Sequence, residues 1–247
     1  MIGLPIFRGA LSGFSPLSLG PALWLSDTGS NAGQWDDLSG NGRHATQAND
    51  AFRPAIVSGA MNGRQVRRFS GATSFLSVSD RAILRNCPGA TVFAVFSLSS
   101  VAAGAKLFFS CSTGTAGLWL INVGSNGAQF VYAGRRLATD VNVSTLFGSA
   151  SLNVPYIYSA TYNYAAATRS ARTSNGGSHV DPAFQTPGNS ENLNAGDDPS
   201  IGRLTNGTGG QFAGDVAEII VLPYAATTAQ RQSVERYFSL KYNITLT

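Results

Sequence analysis

Charge is scarce in this chain. Only 12% of its 247 residues are Asp, Glu, Lys or Arg, about half the roughly 25% of an ordinary soluble domain. Lysine is nearly absent, since Lys106 and Lys241 are the only two among 17 basic residues. The net +4 is scattered, with Arg64, Arg67, Arg68 and Arg135, Arg136 as the tight groups. A nucleic-acid partner needs a contiguous basic face, so none is expected. Two cysteines, Cys87 and Cys111, are too few for a disulfide scaffold, and they cannot complete a zinc site without help from the two histidines, which lie far away in sequence. Both lie beside apolar runs, which fits buried thiols or one bridge. No apolar run is long enough to span a membrane. The apolar N-terminus has no basic start and is broken by Gly, Ser and Pro, so it does not read as a signal peptide. The three sequons at Asn142, Asn206 and Asn243 therefore carry little weight.

Catalytic patterns are equally thin. Glu191, Glu218 and Glu235 are the only glutamates, few from which to draw the paired carboxylates of a glycosidase. No G-x-S-x-G elbow or H-E-x-x-H occurs, and His44 and His179 lie in a turn and a polar loop region. Gly40-Asn-Gly42-Arg-His-Ala45 fits a loose dinucleotide fingerprint, but Thr46–Asp50 and then Pro54 leave no room for the helix that motif requires. No cofactor is expected. Calcium is the one ion left open, at Asp197-Asp198 in a loop.

What the chain has in quantity is Ser, Thr and Asn, 62 residues together, and 28 Gly. With 43% hydrophobic residues it can bury a full core under a surface of hydroxyls, amides and bare backbone. Residues 1–20 carry Pro5, Pro16 and four glycines and read as an extended arm, with Ile2, Leu4, Ile6, Phe7, Leu11 and Phe14 as its docking side chains. Residues 21–247 read as one domain. Short apolar or alternating runs between Gly, Asn, Ser and Asp clusters predict strands at Ala22–Leu25, Gln65–Phe69, Phe75–Val78, Thr91–Leu98, Leu107–Cys111, Leu118–Val123, Gln129–Tyr132, Tyr156–Tyr162 and Val216–Leu222. Nine strands imply two packed sheets. Thr91–Leu98, rich in aromatic and β-branched residues, should be central and buried on both sides. The polar stretch 172–210 should be long loops around a few short strands. The one helix comes last: Thr227 with Gln230 has capping-box spacing, and Val234, Tyr237 and Phe238 form an apolar stripe ending near Asn243.

Two segments add a family likeness. Ala22-Leu-Trp-Leu25 followed by Trp35-Asp-Asp-Leu-Ser-Gly-Asn-Gly-Arg-His-Ala-Thr-Gln47 resembles the opening of laminin-G-like, concanavalin-A-like jelly-roll modules. Phe212-Ala-Gly-Asp-Val-Ala-Glu-Ile-Ile-Val-Leu222 and the Thr227–Tyr242 helix resemble their ending, and Gly63–Val78 an intervening hairpin. The resemblance implies an all-β, two-sheet antiparallel jelly-roll sandwich with one C-terminal helix. It departs at Ser26, where the family usually has Asp, and at Gly71-Ala72-Thr73, which replaces an acidic turn. The E-x-D-x-x-E text of related glucanases is absent. Asp36 and Asp37 are expected to accept hydrogen bonds from turn amides, and Gly40 and Gly42 to supply backbone angles closed to other residues.

Modules of this kind occur in phage virion surface proteins. The leading expectation is therefore a non-enzymatic surface component of a tailed phage or phage-like particle, such as a head decoration, spike or tail fibre. It would join other virion proteins through the arm, in a homo-oligomer or larger assembly, and bind host surface polysaccharide. Trp119, Tyr132 and Tyr162 are the candidate stacking residues, and Arg135 and Arg136 the partners for acidic sugars. Trp24 and Trp35 are expected in the core. The alternatives are a carbohydrate-binding module of a bacterial cell-surface system, and a glycan lyase or hydrolase that would depend on Glu218.

Overall fold

The computed structural model describes residues 13–80, 83–100, 107–112, 117–121, 129–137, 140, 143–183, 185–190, 198–203 and 210–247; for 107–112, 117–121, 131, 133, 135 and 144 it describes the backbone. In chain order the strands begin β1 (Leu23–Leu25), β2 (Gln34–Trp35), β3 (Ala45–Thr46), β4 (Ala55–Met61), β5 (Arg64–Ser70), β6 (Leu76–Val78), β7 (Gly89–Leu98) and β8 (Leu107–Ser112). They continue with β9 (Gly117–Ile121), β10 (Phe130–Arg135), β11 (Val143–Phe147), β12 (Tyr156–Asn163), β13 (Thr168–Thr173), β14 (Ser178–Asp181), β15 (Ser200–Ile201) and β16 (Ala213–Leu222). One helix follows, α1 (Thr228–Tyr242).

Two antiparallel sheets form a sandwich. The first runs β14-β13-β12-β7-β16-β5-β4, with β1 also on β16; the second runs β11-β10-β9-β8-β15-β6-β3-β2. The nine expected strands are all present at nearly the expected bounds. Between the sheets lies a core that includes Leu25, Trp35, Leu76, Val92, Ala94, Phe96, Phe130, Tyr158, Ile219 and Val221. Helix α1 covers the other side of the first sheet, where Val234, Phe238 and Tyr242 pack on Phe93, Val95, Ile157, Ala217 and Ile220. The molecule is thus three layers deep. Central strands β7 and β16 are buried on both faces, which explains why their text reads as continuous apolar runs. The second sheet has no helix on its outer side among the described residues.

The helix ends as its sequence dictates. Thr227 Oγ1 accepts from Gln230 N at 3.3 Å while Gln230 Oε1 accepts from Thr227 N at 2.9 Å, and Asn243 closes the helix at φ 52°. Residues 13–20 form no extended arm. Pro16–Leu19 make a 3₁₀ turn capped by Ser15, Phe14 packs against Tyr237 with ring centroids 6.1 Å apart, and Tyr224 donates to the Leu19 carbonyl at 2.6 Å. Of the arm residues, Ile2, Leu4, Ile6, Phe7 and Leu11 lie outside the described residues.

Tyrosine rather than aliphatic bulk fills one end of the core. Tyr132, Tyr158 and Tyr162 are fully buried, and burial pushes each phenol above its ordinary range. Because the folded state holds these protons more tightly than the unfolded chain, their contribution is complete below about pH 10 and is lost as pH rises beyond it. Each such tyrosine adds a loss approaching about 1.4 kcal/mol per pH unit. Thermal melts should therefore fall steeply above about pH 10, with a shallower fall for Tyr158→Phe. A melting temperature that stays level into strong alkali would contradict this.

Candidate functional site

Glu218, the residue on which an enzymatic reading depends, is fully buried beneath α1. A β-bulge puts it there. The register of β16 on β7 shifts between Val216 and Glu218, so Val216, Ile219 and Val221 face the inter-sheet core while Ala217, Ile220 and Leu222 face the helix. Without the extra residue, strict alternation from Val216 would turn Glu218 into the apolar interior. On the helix side its carboxylate is fully engaged. Oε1 accepts from Trp24 Nε1 at 2.6 Å and Tyr237 OH at 3.1 Å; Oε2 accepts from Tyr242 OH at 2.7 Å and Lys241 Nζ at 2.7 Å. Lys241 also donates to Ser26 Oγ and pairs with Asp27, each at 2.7 Å. Burial opposes ionisation of Asp27, but the bond and charge of Lys241, with Ser26 and Arg64, hold its carboxyl below the usual range.

This cluster is a fastener. No lone pair of Glu218 faces solvent, and the two oxygens at residues 26 and 27 are taken by an ammonium. The expected role of Asp37 holds in the same region: its carboxylate accepts from the amides of Trp24, Ser39 and Arg43 at 2.9–3.0 Å and from Ser39 Oγ at 2.7 Å. Asp36 instead accepts from the Gln34 side chain at 2.7 Å. Gly40 and Gly42 have φ 87° and 71°, and the residues after them form strand β3, not a nucleotide-binding helix. Trp35 is buried, with its Nε1 on the Ser26 carbonyl, and Trp24 is half-buried.

Three of the five residues expected to bind glycan are structural. Tyr132 and Tyr162 lie at 0% exposure in the inter-sheet core, with ring centroids 6.2 Å apart, so neither offers a face to a sugar. The alternation of Tyr156–Tyr162 marks a common face, and that face turns inward because β12 sits in the middle of a sheet. Tyr132 belongs to a clasp between the sheets. The Arg169 guanidinium, wholly buried, lies 4.4 Å from its ring centre, 2.5 Å from Asp181 Oδ2, and donates to Val143 O and Thr145 Oγ1 of the opposite sheet at 2.8 and 2.7 Å. The Tyr132 hydroxyl is 2.8 Å from His179 Nδ1. Arg136, 8% exposed, is also consumed, donating to Asn189 O at 3.0 Å and Thr186 Oγ1 at 2.7 Å.

The other two candidates come together. Backbone register pairs Trp119 with Ala133 on the neighbouring strand and Gly117 with Arg135, so Trp119 and Arg135 are diagonal neighbours on β9 and β10. Such diagonals stand about 7–8 Å apart, within reach of aromatic and long side chains. The same register draws a single row across all eight strands of the second sheet: Gln34, Thr46, Ser77, Ser200, Ser110, Trp119, Ala133, Ser144. It alternates with positions whose side chains fill the core, Trp35, Ala45 and Val78 at one end and Tyr132 at the other. The row holds one aromatic, five hydroxyls and no charge. Sequence reasoning missed it because its members are scattered from residue 34 to residue 200 and only strand order unites them. At its centre the Ser200 hydroxyl is buried without a hydrogen-bond partner, a state that costs about 1–3 kcal/mol.

Cys87 is a buried free thiol; the Cys111 side chain and Asp197 lie outside the described residues. Among the described residues no group of three or more His, Cys, Asp or Glu side chains is placed to hold a metal ion, and no helix is long and apolar enough to cross a membrane.

No protein-family model matches the chain, and no curated protein matches it in sequence. Solved structures do share its fold. The Botulinum neurotoxin serotype D binding domain superposes with a TM-score of 0.63 at 8% identity, over 90% of this chain and 53% of that one. The binding domain of Paraclostridial Mosquitocidal Protein 1 gives 0.66 at 11%, over 91% and 53%. Trypanosoma rangeli sialidase, in complex with a difluoro-nononic acid, gives 0.61 at 16%, over 90% and 33%. The chain spans about half the length of the two binding domains and a third of the sialidase. At such identities the likeness establishes the jelly-roll sandwich alone.

Glu218→Gln separates a fastener from a catalyst. It leaves the Lys241 ammonium without one of its two counter-charges in a largely buried setting, and should cost about 3 kcal/mol in urea unfolding. A variant as stable as the parent would return Glu218 to the list of catalytic candidates.

Proposed function

We propose that this protein is a non-enzymatic saccharide-binding module, and that its binding face is the outer side of the second sheet around Trp119 and Arg135. The row of hydroxyl residues punctuated by a single tryptophan carries this reading. A sugar ring presents an apolar face to stack on an aromatic and a rim of hydroxyls to pair with small polar side chains. Arg135 adds a donor suited to a carboxylate on an acidic sugar. Two of the structures that share the fold are binding domains, one of a Botulinum neurotoxin and one of a mosquitocidal protein, and a third is a sialidase holding a nononic acid, which accords with a saccharide ligand.

The chain's polarity favours display on a surface. Phe14 and Leu19 pack on the helix side of the first sheet, so this part of the chain lies on the side opposite the proposed binding face. A module tethered there by its N-terminal segment holds its sugar-binding sheet outward, as a component on the surface of a phage or phage-like particle must.

Two outcomes are expected. On an array of bacterial surface polysaccharides the protein binds saccharide, and Trp119→Ala weakens the best ligand about tenfold or more, a loss of at least 1.4 kcal/mol, while Tyr162→Phe leaves affinity unchanged. Equal affinity for Trp119→Ala and parent would sink the assignment of the face. Removing residues 1–12 should preserve the melting temperature but abolish incorporation into purified particles, read by mass spectrometry. Removal of residues 1–20 should lower the melting temperature as well, because it strips Phe14 and Leu19 from the helix-side core. Normal incorporation after the shorter deletion would rule out the tether.

A further inference from the structure

The second sheet carries a further aromatic and arginine pair, away from Trp119. Phe75 stands immediately before β6, alternating with the buried Leu76 as Ser77 does. Its ring is 6.0 Å from that of Phe52, which is 37% exposed, and the Phe75 amide donates to the Phe52 carbonyl at 3.0 Å. Arg203, just beyond β15, lays its guanidinium 3.1 Å from the centre of the Phe75 ring. The Arg203 Nε has no hydrogen-bond partner, and neither does the buried Ser200 hydroxyl three residues earlier. Most other arginines described above are tied to an acid or a carbonyl. Arg203 is held flat on an aromatic ring instead, its buried Nε unpaired, beside a half-exposed phenylalanine.

Resting on the saccharide reading, we propose that Phe52, Phe75 and Arg203 form a second sugar subsite, and that the ligand is a linear polysaccharide segment lying across the strands. It would reach from this subsite to Trp119 and Arg135. Strands β6, β15, β8 and β9 are consecutive neighbours, so three inter-strand spacings, about 14 Å in all, separate the two aromatic positions. In register between them stand Ser77, the buried Ser200 and Ser110. A terminal monosaccharide cannot touch both ends. A chain of several sugars can stack at each end and span the row between.

Chain-length dependence tests this. Oligosaccharide ladders from monosaccharide to octasaccharide, cut from the polysaccharide that binds best on an array, are titrated by calorimetry. Affinity should climb with length by about tenfold or more until the chain spans both subsites, then level off. Phe52→Ala and Arg203→Ala, both altering partly exposed side chains, should each erase most of that gain for long chains while leaving short-chain binding at Trp119 as it was. Equal affinity for monosaccharide and octasaccharide, or long-chain affinity untouched by both variants, overturns the second subsite while the Trp119 face stands. Absence of binding to every polysaccharide on the array overturns the saccharide reading and this proposal together. Circular dichroism and melting temperature confirm that each variant is folded; were Arg203→Ala unstable, Phe52→Ala and Arg203→Lys decide the matter.

Discussion

A carboxylate with no access to water organises this fold. Glu218 stands in the middle of the longest buried strand, and an ion of that kind is tolerable only when paired and fully hydrogen-bonded. Its partners come from both ends of the chain: Trp24 from β1, and Tyr237, Lys241 and Tyr242 from α1. The N-terminal strand, the central strand and the C-terminal helix are therefore bound to one point. Every deviation from regular geometry nearby serves that point. The bulge at Val216–Glu218 turns the side chain toward the helix, and Asn243 in the left-handed region ends the helix one residue after Tyr242 has reached the carboxylate. The segments that resemble jelly-roll modules at opposite ends of the sequence are the segments that meet here.

From that anchoring follows an asymmetry. The first sheet is covered by α1 and by residues 13–20, while the second is tied to it at the core and along its rim, by Arg169, whose guanidinium spans from Asp181 to Val143 and Thr145, and by Arg67 of β5, which donates to the Gln34 carbonyl of β2. These ties lie behind or beside the outer side of the second sheet. Its sequence is released from apolar demands. Serine and threonine, poor choices for a packed layer, populate the row across it.

Much of this was legible in the sequence. Alternation and apolar runs located nine strands, and the Thr227–Gln230 spacing located the helix start to the residue, because those signals are local. What escaped was polar or short. β13, written Thr-Arg-Ser-Ala-Arg-Thr, has no apolar face of its own, since the inward position at Arg169 is filled by a guanidinium paired inside the core. β4 contains Gly59 at φ 71° and an interrupted register, so its text loses the period of a strand. The tyrosines failed for a different reason. Period two shows that Tyr156, Tyr158 and Tyr162 share a side, but only the order of strands determines whether that side is the core. For the same reason Trp119 and Arg135 become neighbours only once β9 is laid beside β10.

The scarcity of charge now has a structural meaning. Arg43 with Asp80, Arg64 with Asp27, Arg68 with Asp215, Arg169 with Asp181, Arg231 with Glu235 and Lys241 with Asp27 and Glu218 are all internal ties. Arginine suits such work because its planar fork meets a carboxylate at two points and keeps its charge when buried. The largely buried pairs among these, Arg169 with Asp181, Arg231 with Glu235 and Lys241 with Asp27 and Glu218, cannot also recruit a ligand without breaking a tie within the fold. On the proposed reading, recognition falls to the hydroxyls of the second sheet, its aromatic rings, and the arginines at positions 135 and 203. A ligand matched to such a surface is rich in hydroxyls and flat on one side, and can be accepted without loosening any bond within the sandwich.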